Sequence, residues 1–142
     1  MHQLVRRLER IQALHEWEKQ AQLAGIEAQR AEAGRNLGVL VERLDQLRVV
    51  EAEDVGDLAR RQLYQVQMEM VRRRGEEDLA TLDRDAQEAR EAFKAARRTT
   101  RTTGKLAEKL ESKVAEEMGR QEARELDELS ALAWWSKHGG TR

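Results

Sequence analysis

There is no cysteine and no proline in the chain, and its 142 residues include only one Phe, one Tyr and three Trp. Without cysteine there is no disulfide framework, which suits a reducing cytoplasm. With so few aromatics a compact globule would be short of core volume, whereas two paired helices need only a narrow seam. No run approaches the roughly 20 apolar residues that a membrane span needs. The first residues, with Arg6, Arg7 and Arg10, hold no apolar signal core. Positive and negative charges nearly cancel, at a net −1, which argues against bulk binding to nucleic acid. His2, His15 and His138 are never three or four residues apart, so neither a helical metal site nor a cofactor is expected. There is no cysteine nucleophile, Gly-rich phosphate loop or GxSxG motif, and an enzyme is not expected.

What the chain does have is charge and period. Charged residues make up 37% of it, with the Ala/Glu/Lys/Leu/Arg bias of long helices. From Leu79 the positions Leu82, Ala86, Ala89, Phe93, Ala96, Thr100, Thr103, Ala107, Leu110 and Val114 alternate steps of three and four without a slip. All fall on one stripe of a helix, a heptad seam long enough to favour a coiled coil. At the usual rise this helix would run about 50 Å and could not fold on itself. It needs a partner, and the first half of the chain supplies one. There the apolar pattern reads Leu4, Leu8, Ile11, Leu14, Trp17, Ala21, Ala24, Ala28 and Ala31, with a stammer at Ile11–Trp17. It restarts as Leu37, Leu40, Leu44 and Leu47. The alanines, with Gly25, Gly34 and Gly38 nearby, would let two helices approach closely.

Two places could reverse the chain. The stretch from Glu51 to Asp57 holds Glu51, Glu53, Asp54 and Asp57 with no base, Gly56 can turn left-handed and Asp57 can cap a following helix. Alternatively Gly75 turns, between Arg72–Arg74 and Glu76–Asp78, as the helix dipole favours. The first is preferred, and it makes the two arms unequal. The fold expected is all-α, one antiparallel coiled-coil hairpin over residues 1–142. Helix one covers about 3–52, the turn about 53–57, helix two about 58–135, and a frayed tail about 136–142. Beyond the level of Leu4, about 25 residues of helix two then have an apolar seam and no partner: Leu110, Val114, Met118, Leu126 and Leu129. Such an overhang marks a place where another protein docks. With Gly75 as the turn, the arms match and the overhang vanishes.

Trp134 and Trp135 read as an interface anchor or as packing on the start of helix one. Adjacent residues point about 100° apart on a helix, so both cannot bury against one neighbour. Trp17 reads as seam. Tyr64, Met68 and Val71 read as core near the turn or as a second patch. Arg97, Arg98, Arg101 and Lys105, around Thr99–Thr103, read as an ordinary charged face or a basic patch.

Lys105-Leu-Ala-Glu-Lys-Leu110 followed by Glu122-Ala-Arg-Glu-Leu-Asp-Glu-Leu129 resembles the C-terminal signature of FliJ, the small flagellar export protein. Leu8-Glu-Arg-Ile-Gln-Ala-Leu14 is similar to that family's opening helix, and the length, missing proline and acidic Gly-containing turn fit as well. Proteins of the YscO type from virulence secretion systems look alike. The resemblance implies a cytoplasmic component of a bacterial type III export apparatus. It implies a stalk whose open end enters the hexameric export ATPase and whose turn end reaches the export gate protein. Some members escort export chaperones. Contact with the membrane would come only through partners. Matched residue by residue, Leu126, Asp127, Glu128 and Leu129 would face the ATPase, with Leu4, Arg7, Leu8 and Ile11 joining by proximity. Leu40, Leu44, Leu47, Tyr64, Met68 and Val71 would face the gate. Trp134 and Trp135 lie outside the family pattern and are grouped with the ATPase end by position. The alternative is a coiled-coil scaffold or adaptor unconnected with secretion.

Overall fold

A computed structural model describes residues 2–139. The fold is all-α, with two helices, α1 (His2–Val49) and α2 (Val55–His138), packed antiparallel and the second the longer. The chain divides into two units, one of residues 14–97 and one of residues 1–13 with 98–142.

In the 14–97 unit the chain reverses between Val49 and Val55, and Gly75 lies inside α2. The turn is built differently from the sequence expectation. No described glycine has a positive φ, and Gly56 is helical. Asp54, not Asp57, is the cap: its carboxylate accepts the Asp57 N–H at 2.6 Å, and its carbonyl accepts the Leu58 N–H at 3.0 Å. Asp57 instead reaches back, accepting the Glu53 N–H at 3.0 Å, close to a capping box. That bond, ahead of the nearby arginines, holds its carboxyl below the usual range. Arg61 ties the corner by donating to the Val50 carbonyl at 2.6 Å.

Above the turn, Arg48 pairs with Glu69, Arg30 with Asp83 and Arg90 with Glu27, which fixes the antiparallel register. The seam of α2 is the expected one: Leu79, Leu82, Ala86, Ala89, Phe93 and Ala96 all turn inward. Opposite them α1 presents Leu23, Ile26, Ala33, Leu37, Leu40, Leu44 and Leu47. Leu44, 2% exposed, is the largest fully buried side chain.

The α1 stripe is a correction. Ala21, Ala24, Ala28 and Ala31 face water, and so do Leu14 and Trp17, both about two-thirds exposed. Stepping back from Leu37 by fours and threes reaches Ala33, Arg30, Ile26, Leu23, Lys19 and Glu16. A helix locked in phase by its leucines keeps that phase, and the proposed stammer, which would overwind it, does not form. Trp17 is therefore not seam. The close approaches also fall elsewhere. A Cβ at Gly25, Gly34 or Gly38 would meet nothing within 4 Å, whereas one at Gly75 would lie 3.3 Å from the Leu37 side chain.

In the other unit the same phase continues, and Val5, Glu9 and Gln12 face α2. Thr100, Thr103, Ala107 and Leu110 lie opposite, with Ala107 wholly buried. A Cβ on Gly104 would touch the Glu9 carboxylate at 3.0 Å. Arg6 closes this end, its guanidinium donating to both Glu111 oxygens at 2.6 and 2.7 Å and to Glu9 at 2.7 Å. These bonds push Arg6 further up, and the Arg6 bond is the largest cause holding Glu111 below the usual carboxylate range.

Among the described residues one buried side-chain atom of the seam is unsatisfied. The amide oxygen of Gln12 is buried without a hydrogen-bond donor, an arrangement that costs about 1–3 kcal/mol. Gln12→Leu is therefore expected to raise the thermal midpoint by several degrees. An unchanged or lower midpoint in a calorimetric scan refutes that reading of the seam.

Candidate functional site

Every described residue from Ser112 to Gly139 is exposed. This portion of α2 carries Val114, Met118, Leu126, Leu129, Leu132, Trp134 and Trp135, all exposed. Isolated exposed leucines are ordinary, but here a succession of apolar side chains lies exposed along one helix. Along the α2 seam that starts at Leu79, Val114 is the first position to be exposed, at 41%. Pairing ends at Glu111, where Arg6 holds the start of α1.

The tryptophans are not packed on α1. Trp134 and Trp135 meet edge to face with ring centroids 5.7 Å apart, and Trp134 stacks on His138 at 4.8 Å. Both indoles remain more than half exposed. The helix continues past them to His138, and residues 140–142 of the expected tail lie outside the described residues.

Leu4, Arg7, Leu8 and Ile11 are all exposed, as are Leu126, Asp127, Glu128 and Leu129. The structure does not gather them into one patch. Arg6 sits level with Glu111, so Leu126 lies about 20 Å further along α2 than the level of Leu4. The 1–13/98–142 unit thus has two separate apolar surfaces, one beside the paired helices and one on the unpaired helix.

At the turn end the six expected residues divide. Leu40, Leu44, Leu47 and Met68 turn into the seam, while Tyr64 and Val71 are exposed at 40% and 49%. The side chains best placed for contact there are ones the sequence reading passed over: Val55, Leu63, Val66 and Met70. They lie outside the α1–α2 seam. Their signal was present in the steps of four, three and four through Ala59, Leu63, Val66 and Met70. Val66 and Met70 also border a shallow groove with Leu44, Arg48, Gln62 and Arg73.

Among the described residues no group of acidic or histidine side chains is arranged to hold a metal ion. No helix is long and apolar enough to cross a membrane.

No curated protein and no solved structure matches the chain. A family model does: that of the flagellar FliJ protein, over residues 2–139. That span takes in the two helices, the acidic turn and the unpaired end of α2, so the chain belongs to the FliJ family of flagellar type III export components.

Proposed function

We propose that this protein is a stalk of the export apparatus, docking by the unpaired end of α2 in the ring of the export ATPase. The observation that carries this is the row of exposed apolar side chains from Val114 to Trp135 on a helix with no neighbour. A single asymmetric helix inside a symmetric ring makes its ATP sites inequivalent and couples their turnover. The stalk itself does no chemistry, and its effect is a difference in affinity between states of the ring. Leu126, Asp127, Glu128 and Leu129 would contact the ring, with Trp134 and Trp135 as anchors. Leu4, Arg7, Leu8 and Ile11 would form a second contact on the same unit.

The turn end would meet the export gate. Tyr64 and Val71, with the outer stripe Leu63, Val66 and Met70, are the side chains exposed for it. Leu40, Leu44, Leu47 and Met68 would support that surface from the seam. Chaperone escort would use the same exposed faces, and the working place would be the cytoplasmic side of the apparatus. Titrating the full chain into the purified export ATPase should raise its rate of ATP hydrolysis several-fold and bring the two proteins together in sedimentation. A flat titration with no co-sedimentation rejects the proposal.

A further inference from the structure

We infer that copies of this chain associate head to tail, the acidic end of α2 from one copy lying on a basic, apolar face beside the helix pair of the next. Because Arg6 touches Glu111, those two residues mark one side of the seam. On α1, Leu4, Leu8 and Ile11 lie about a quarter of a turn from the seam in the other direction. On α2, Leu106 does the same. Both groups therefore share the side away from the Arg6–Glu111 bridge, and all four side chains are exposed, Leu4 at 65% and Leu106 at 51%.

That side is basic. Lys109 and Lys113 border the leucines, Lys105 and Arg7 lie at its outer edges, and none of the four forms an ion pair with a described residue. The carboxylates of these stretches, Glu9, Glu108 and Glu111, lie on the seam or on the opposite side. An acidic amphipathic helix is the complement of such a face, and the chain carries one. Between Glu122 and Trp135 there are four carboxylates and one guanidinium. None of these charged groups is in an ion pair with a described residue.

The rows correspond as well. On the extension, Glu122, Glu125 and Glu128 step by three beside a second row of three-steps, Leu126, Leu129 and Leu132. On the face, Lys105, Lys109 and Lys113 step by four beside exposed Leu106, whose own row of fours runs on through Leu110 into the seam. Rows of three from one helix pack between rows of four from another at a shallow crossing. Leucine then meets leucine while glutamate lies over lysine.

The two surfaces point more than a third of a turn apart on the same α2, about 140° by residue count. A twofold pair could not seat both, so the contact is heterologous and propagates. It needs no ATPase, so its test stands apart from that of the docking proposal.

The test is sedimentation of the full chain alone across a wide concentration range. Mass should grow beyond a dimer at low salt and fall back toward the monomer as salt is added. Lys109→Glu with Lys113→Glu, or Glu125→Lys with Glu128→Lys, should each give monomers with an undiminished helix signal, these side chains being exposed. Mixing the two variants should restore association, because each then offers the charge the other requires. A wild-type chain that stays monomeric throughout, or charge reversals that change nothing, overturns the inference.

Discussion

Truncation after Gly119 should abolish stimulation of the export ATPase while leaving the helix pair as stable as before. The described residues so removed, 120–139, are all exposed. Their loss takes away helix signal in proportion to their number, but no seam contact. The unfolding free energy from thermal and denaturant melts should therefore stay within about 0.5 kcal/mol of the full chain, as for changes away from packed sites. Affinity for the ring, in contrast, loses several apolar side chains and two tryptophans. Since a few such residues carry most of an interface's energy, a drop of at least 100-fold is expected, or about 3 kcal/mol. A finer variant, Leu126→Asp with Leu129→Asp, should reproduce most of that loss with every helical residue still in place. If the truncated chain stimulates hydrolysis as well as the intact one, the unpaired end of α2 is not the docking element.

Leu44→Ala and Leu8→Ala, two identical substitutions on one helix, should differ sharply in cost. Leu44 is 2% exposed and lies between the helices near the turn. Truncating it removes buried area and leaves a cavity, for about 2–5 kcal/mol. The seam is thin and the chain's total stability modest, so this is a large fraction of the whole. Leu8 is 47% exposed and outside the seam, so its truncation should cost less than about 1 kcal/mol. Urea midpoints of the two variants decide the matter. Equal losses would mean that Leu8 packs against α2, and the outward stripe of α1 would be wrong.

That pair of leucines also shows how far the sequence could be read. The α2 seam from Leu79 to Leu110 was legible because its steps of three and four never slip, so phase and pattern agree. On α1 they disagree. Leu4, Leu8, Ile11, Leu14 and Trp17 are more apolar than Val5, Glu9, Gln12 and Glu16, yet the second set faces α2. Periodicity finds the most apolar stripe of a segment, whereas the helix obeys the phase set where packing is strongest, at Leu37, Leu40, Leu44 and Leu47. Counting back from those leucines in unbroken heptads would have found the polar seam. The position of the turn was readable from its acidic run with Gly56. Which aspartate caps was not, since Asp54 and Asp57 are three residues apart and differ only in the bond each accepts. Of the candidate site, the unpaired end of α2 followed from arm lengths alone. Its separation from Leu4, Leu8 and Ile11 required the Arg6–Glu111 register.

In each unit the least exposed described residue of the seam is an alanine, Ala86 at 1% in one and Ala107 at 0% in the other. An alanine has no side-chain rotamers to surrender when it is covered, and none to switch between afterwards. Bending the helix pair at such a layer cannot be accommodated by a side chain flipping into a new well. At these two layers the seam has no side-chain rotamers of its own to rearrange.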